Sequence, residues 1–286
     1  MCILFWTLDN HPKYKFIFAA NRDEYLNRPT SSATWWHPNI LSGIDLLKSG
    51  TWLGINRYGK FAALTNYRED FPPMNLLSRG AVVRSILESD ESLYEQLKSI
   101  LNRSEEYGGF NLITLDLSHD NPTSYYLVNR ENVGIKELNK GEIYGLSNSL
   151  LENPWPKVNI GIKEMELILK ESTNESDIVD RLFNLLSKPI AVDLLETLNE
   201  EYDIWNNSIR ISKYDREDGS YATRTSTVIL VDHDNNVVFI EKNLFDDDEK
   251  FITNDEGQWF RFKLGDVVVD CDPGSTPNLQ NCEKFR

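Results

Sequence analysis

The chain is short of most features that announce a function. Its 286 residues hold only three cysteines, Cys2, Cys271 and Cys282. That odd, uneven set implies no secreted disulfide framework. Free thiols in a reducing compartment are expected, with a Cys271–Cys282 bridge as the alternative in an oxidising one. The four histidines, His11, His37, His119 and His233, make no metal-ligand spacing with each other or with cysteine. Basic residues are outnumbered, 30 against 45 acidic, for a net charge of −15. This excludes the clustered basic footprint of a nucleic-acid binder and a polybasic attachment to anionic lipid, and reads as a solvated acidic surface. No apolar run approaches the roughly 20 residues that span a bilayer. The opening run is too short, and lacks the basic start, for a secretory signal, and it lacks the character of a transit peptide. No integral membrane segment, no nucleic-acid partner and cytoplasmic residence are therefore expected. Gly54, Gly59, Gly108 and Gly109 form neither a dinucleotide fingerprint nor a phosphate-binding loop, and no Gly-x-Ser-x-Gly elbow occurs.

What is present begins at the second residue. Cys2 opens an apolar run, Cys2-Ile3-Leu4-Phe5-Trp6. Initiator methionine is normally removed before a small residue, so Cys2 is expected to become the amino terminus. An α-amine titrates near 7.7–8.0 and a thiol near 8.5. One residue would then supply both a general base and a nucleophile, the logic of an N-terminal-nucleophile hydrolase. The plainer role is a small buried hydrophobe at a strand end.

Residues 2–8 and 14–20 read as a hairpin across Asp9-Asn10-His11-Pro12, and 21–49 as a long polar loop. Strands follow at 51–56 and 60–66. Helical spacing comes next, at Val82, Val83, Ile86 and Leu87 after a Ser78 cap, then at Leu93, Leu97, Ile100 and Leu101. Strands return at 110–115, 124–128 and 142–146. After Asn153-Pro154-Trp155-Pro156, two further helices carry Val158, Ile162, Met165 and Leu169, then Ile178, Val179, Leu182, Phe183 and Leu186. A less regular stretch spans 188–220. Strands at 221–231 and 236–241 form a hairpin, another lies near 258–263, and the acidic end beyond 243 is expected to fray. Blocks of strands and helices, rather than a βαβ alternation, favour mainly antiparallel sheets with helices packed outside. Strands apolar on both faces, such as 3–6 and 228–231, suit a two-sheet sandwich covered by helices.

If the first two strands are antiparallel neighbours, Cys2 lies beside Asn21-Arg22-Asp23-Glu24. Arg22 would lower the thiol pKa and Asp23 would hold the terminal ammonium, whereas an exposed Arg–Asp pair would contribute little. Asn66 and Asn148 end apolar strands, where an amide serves either a developing oxyanion or an ordinary turn. Arg224 sits inside a strand of small and β-branched residues, where a charge needs a partner or a polar pocket. Trp35, Trp36, Trp52 and Trp155 read as core or rim packing ahead of a ligand groove.

The order of Met1-Cys2-Ile3, Asn21-Arg22-Asp23-Glu24 with Arg28-Pro29, Gly50-Thr51-Trp52-Leu53-Gly54 and Leu64-Thr65-Asn66-Tyr67-Arg68 resembles the transport and Golgi organization 2 family, also called the NRDE family. Ser78-Arg79-Gly80, Gly109-Phe110-Asn111-Leu112, Gly145-Leu146-Ser147-Asn148, Pro154-Trp155-Pro156-Lys157 and Thr223-Arg224-Thr225-Ser226-Thr227-Val228 extend the resemblance over residues 1–242, leaving 243–286 as an extension of one domain. Ser49 and Ala222 depart from it, each standing where the family usually has glycine. The resemblance implies a single α+β domain, a four-layer αββα sandwich of two mainly antiparallel sheets flanked by helices, of the N-terminal-nucleophile hydrolase type. More remotely, Cys2, Arg22, Asp23, Asn66, Asn148 and Arg224 resemble in order the catalytic set of choloylglycine hydrolases and penicillin V acylases. The family's associations are with secretion and Golgi organisation, with mitochondrial and lipid metabolism involving acyl-coenzyme A, and with heme mobilisation. They imply an amphipathic partner, heme or acyl-coenzyme A, bound over Cys2, with heme a transported ligand and no cofactor required. Residence near mitochondria or Golgi is implied likewise. An active cysteine amidohydrolase and a scaffold without ligand chemistry are the alternatives.

Overall fold

The opening run is apolar at consecutive positions because both faces of its strand are covered. Leu4, Trp6 and Leu8 enter one core and Ile3 and Phe5 another, as the twofold alternation of a strand requires. In the computed structural model, which describes residues 2–69, 76–119, 121–131, 133–189, 206–253 and 255–268, this pattern recurs in strand after strand.

The first half of the chain forms strands β1 (Cys2–Leu8), β2 (Tyr14–Tyr25), β3 (Thr30–Trp36), β4 (Ile40–Asp45), β5 (Leu53–Asn56) and β6 (Lys60–Asn66), then helices α1 (Gly80–Glu88) and α2 (Leu93–Asn102). Strands β7 (Phe110–Asp116), β8 (Thr123–Val128), β9 (Gly134–Glu137) and β10 (Ile143–Leu146) follow, then α3 (Pro156–Glu171) and α4 (Glu175–Leu186). The last described elements are β11 (Tyr214–Arg216), β12 (Gly219–Asp232), β13 (Asn236–Asn243) and β14 (Gln258–Lys263). One sheet runs β10-β1-β2-β12-β13-β14 with β11 on β12, the other β3-β4-β5-β6-β7-β8-β9. Every pairing within them is antiparallel.

Three apolar clusters define four layers. Phe16, Phe18, Phe61, Ile113 and Phe239 fill the space between the sheets. Ile17, Val228 and Leu230 meet Met165, Ile178 and Leu182 of α3 and α4. Ala62, Leu64 and Leu112 meet Val83, Ile86 and Leu97 of α1 and α2. The order is αββα, as expected. Gly161 lets α3 approach the sheet, since a Cβ there would stand 2.0 Å from Phe5 Cζ.

Ser78 does not cap the first helix, whose N-cap position is Arg79 with no side-chain cap hydrogen bond, but the four helices fall where the spacing placed them. The long loop does not: β2 runs on to Tyr25, and β3 and β4 occupy most of the remainder up to Asp45. The stretch Thr-Ser-Ser-Ala-Thr-Trp-Trp lacks a clean alternation because its register shifts between Ser31 and Thr34. The strand expected near 258–263 is present as β14, paired with β13. The segment after it is more ordered than expected, since Leu264 is buried between the sheets and the Val268 backbone bonds the Asn39 side chain. Cys271, Cys282 and the rest of 269–286 lie outside the described residues, as does 190–205 of the irregular stretch.

Candidate active site

β1 and β2 pair so that Cys2 stands opposite Arg22, which brings the first residue of one strand beside the Asn-Arg-Asp-Glu end of the next. Alternation then sends neighbouring side chains to different layers. The Asn21 amide faces the helices, donating to the Leu186 and Ile209 carbonyls at 2.8 and 3.1 Å and accepting from Ser226 Oγ at 2.7 Å. It ties β2 to the end of α4. The Arg22 guanidinium faces inward, 4.1 Å above the Trp52 ring and 3.4 Å from Glu24 Oε2. Trp52 is thus a wall of the cleft.

Asp23 is buried beside Cys2. Its Oδ1 accepts from Thr223 Oγ1 at 2.6 Å, and that hydroxyl in turn accepts from the Ile211 amide at 2.8 Å. The Tyr221 hydroxyl donates to the Asp23 carbonyl at 3.0 Å. Burial pushes the Asp23 carboxyl up, while Lys157 and the Thr223 hydrogen bond pull it back. Burial likewise pushes the Cys2 thiol up, with the Asp23 charge adding to that and Arg22 opposing it.

The Ser147–Asn148 turn is fixed by buried polar groups. Thr65 Oγ1 donates to the Ser147 carbonyl at 2.5 Å, Asn111 Nδ2 donates to Thr65 Oγ1 at 3.1 Å, and the Tyr126 hydroxyl donates to Asn111 Oδ1 at 2.6 Å. So held, Asn148 Oδ1 accepts from the Cys2 nitrogen at 3.2 Å, and Asn148 Nδ2 donates to the Asn66 carbonyl at 2.5 Å. Ser147 Oγ donates to the Cys2 carbonyl at 2.8 Å. Cys2, Arg22, Asp23 and Asn66 line one cleft of about 500 Å³, and Asn148 braces it from behind. Glu24, Arg28, Asp45, Lys48, Glu69 and Arg79 give the cleft charge, and Leu64, Leu76 and Leu77 give it an apolar side.

Arg224 is placed apart. A bulge between Thr223 and Thr225 turns it out of the strand register, and its Nη1 donates to the carbonyls of Tyr25, Leu26 and Arg28. It holds the turn after β2 and does not line the cleft. Ala222 sits in regular pairing opposite Glu24, one residue before the bulge region.

Sequence reasoning missed two contributors. Thr223 carries the hydrogen bond to Asp23, and its place two residues after Tyr221 on the same face of β12 was the one available signal. Lys157 is fully buried at the start of α3 and interacts electrostatically with Asp23 and Cys2. Among the described residues no cluster of three His, Cys, Asp or Glu side chains could hold a metal ion, and no helix is long and apolar enough to cross a membrane.

Two antiparallel sheets between helix layers, with Cys2 opening a strand that lies inside its sheet, define a four-layer αββα sandwich with a cysteine in its cleft. The sequence profile of the transport and Golgi organisation 2 family matches residues 1–246, and the chain belongs to that family. It is 39% identical over 269 residues to the Bos taurus transport and Golgi organization protein 2 homolog, covering 87% of this chain and 95% of that one. The Homo sapiens homolog is 37% identical over 272 residues with the same coverage. The Drosophila melanogaster protein is 29% identical over 261 residues, covering 85% and 92%. Among solved structures, a C2A mutant of conjugated bile acid hydrolase from Clostridium perfringens aligns with TM-score 0.45 at 11% identity, covering 95% of each chain. A Caenorhabditis elegans ortholog of N-acylethanolamine-hydrolyzing acid amidase aligns with TM-score 0.46 at 11% identity, covering 80% of this chain and 92% of that one.

Proposed function

We propose that the protein is an amide (C–N) hydrolase whose nucleophile is Cys2 after removal of Met1. One observation carries this reading. The Cys2 nitrogen, the future α-amine, has an acceptor in Asn148 Oδ1, the Cys2 thiol interacts electrostatically with buried Asp23, and the same residue lines a cleft. The α-amine takes the thiol proton, and the sulfur attacks the acyl carbon. The departing amine receives that proton, and water then releases the acid from the thioester. Asn66 lines the cleft, and an oxyanion stabilised by its side-chain amide would contribute roughly 3–4 kcal/mol to the barrier reduction. Arg22 and Asp23 hold the terminal residue in place, and Arg224 acts through the turn it anchors. The test is amine release from a panel of N-acyl amides, compared between the wild type and Cys2→Ala. Turnover that Cys2→Ala retains, or none by a wild type that begins at Cys2, refutes the reading.

A second reading is favoured by the lining itself. Arg22, Arg28, Lys48 and Arg79 stand near Leu64, Leu76 and Leu77, a pairing suited to an amphipathic anion such as an acyl-coenzyme A. On this reading the protein is a carrier serving lipid and mitochondrial homeostasis, heme mobilisation and secretory-pathway organisation. Heme fits the site less well, because Cys2 supplies the one sulfur or imidazole among the described lining residues. Saturable binding of acyl-coenzyme A or hemin, unchanged in Cys2→Ala and without amine release, would replace the first reading with this one.

A further inference from the structure

The stretch Ser78-Arg79-Gly80 lines the Cys2 cleft but has no part in the hydrolytic scheme. A chain of hydrogen bonds fixes Arg79 relative to Cys2. The Cys2 nitrogen donates to Asn148 Oδ1 at 3.2 Å, and Asn148 Nδ2 donates to the Asn66 carbonyl at 2.5 Å. The next residue, Tyr67, donates its amide to the Gly109 carbonyl at 2.8 Å, and Arg79 Nη1 donates to that same carbonyl at 3.1 Å. Arg79 therefore continues the wall that begins with Cys2 and Asn66.

The neighbouring charges are committed elsewhere. Arg22 pairs with Glu24, and Arg28 with Asp45 and Glu24. Glu69 pairs with Arg130, and its other oxygen accepts from the Gly109 amide at 2.6 Å. Arg79 forms no ion pair among the described residues, and Gly109 takes one of its five N–H donors. Lys48 is also without an ion pair there, but it is exposed at the rim, where its charge is screened. A Cβ on Gly108 would lie 3.5 Å from Arg79 Nη1 and 3.7 Å from Leu76 Cδ1, so a cation and an apolar side chain flank the same backbone. Helix α1 starts at Gly80 with no acidic residue in its first turn, which adds partial positive charge at that place. A guanidinium held this way, on a cleft of about 500 Å³, suits a carboxylate or a phosphate, each of which accepts two parallel N–H bonds. We propose that Arg79 is a specificity residue of the cleft that binds a carboxylate or phosphate of the substrate, so that the amides hydrolysed are anionic rather than neutral. Leu64, Leu76 and Leu77 receive the apolar end. The hydrolysis in this statement rests on the reading given above, whereas the anion site does not.

The test compares amides that share a dodecanoyl chain: N-dodecanoylglycine, N-dodecanoylethanolamine phosphate and the neutral N-dodecanoylethanolamine. Full-length chains are released from a cleavable fusion so that they begin at residue 2. Kd is read by isothermal titration on Cys2→Ala, alone and combined with Arg79→Gln or Arg79→Lys, and kcat/KM on the same chains with Cys2 intact. One of the anionic amides is expected to bind about tenfold or more tighter than the neutral one, and which of them does so distinguishes carboxylate from phosphate. Arg79→Gln is expected to lower that anionic-to-neutral ratio about tenfold, and Arg79→Lys to recover part of it, since lysine keeps the charge but not the paired donors. A merely structural role for Arg79 would weaken all the amides alike. No binding of either anion, a ratio near one with Arg79 in place, or a ratio that Arg79→Gln leaves unchanged overturns the inference. If Arg79→Gln does not fold, the ratio in the chain that keeps Arg79 and the change in Arg79→Lys decide in the same way. Selective anion binding in a chain that releases no amine would leave this inference standing while defeating the hydrolase reading.

Discussion

Glu241 offers the sharpest quantitative test of how the two sheets are joined under the cleft. It ends the β13–β14 pairing, is 1% exposed, and its Oε1 accepts from the Ala33 amide of β3 at 2.6 Å. Burial lifts its carboxyl from 4.5 to about 7, with the Ala33 hydrogen bond and the Arg22 charge only partly opposing it. Below about pH 4.5 the carboxyl is protonated in both folded and unfolded chains and contributes no pH dependence. As pH rises from there to 7 the unfolded chain ionises and the folded one does not, so stability falls, and the loss is complete above 7. Moving a carboxyl from 4.5 to about 7 amounts to roughly 3 kcal/mol. Glu241→Gln keeps the acceptor for Ala33 and removes the titration. Urea denaturation of both chains at pH 5 and pH 8.5 gives a double difference in which any pH-independent cost of the amide cancels. The mutant is expected to gain about 2–3 kcal/mol on the wild type between those two pH values. A difference between the chains that does not change with pH would refute the assignment of a buried, proton-holding carboxyl at the sheet junction.

Other substitutions test neighbouring parts of the account. Ser49 sits in the left-handed region at φ 54, so Ser49→Gly is expected to raise stability by about 1 kcal/mol in thermal or urea unfolding, and a loss would show that its conformation is not strained. Thr223→Val removes the donor to Asp23 and the acceptor for the Ile211 amide, a cost of about 2–3 kcal/mol by urea denaturation, and a neutral result would remove that bridge. Gly161→Ala drives a methyl into Phe5 and should cost about 1–3 kcal/mol, partly relieved by Phe5→Leu in the same background; no relief would mean the clash lies elsewhere.

Much of this arrangement could be read from the residues, because alternation and helical spacing are local. Val82, Val83, Ile86 and Leu87 sit on one helix face and do pack as one face. The hairpin that sets Cys2 opposite Arg22 was legible in the same way, since a short polar turn fixes which strand ends meet. β3 was not, because a register shift erases the alternation that marks a strand. The turning of Arg224 away from the cleft depends on a bulge that no residue pattern in Thr223-Arg224-Thr225 announces. Lys157 and Glu241 were illegible for a different reason. A charged residue at a helix start or a strand end normally meets water, and only tertiary packing decides that these two do not.

The central claim is that Cys2 works as a terminal residue, and intact-mass spectrometry of the purified full-length chain addresses it most directly. The spectrum is expected to lack the mass of one methionine residue, with an amino-terminal peptide that begins at Cys2. A chain that keeps Met1 has no free amine on Cys2, and that result would contradict the account.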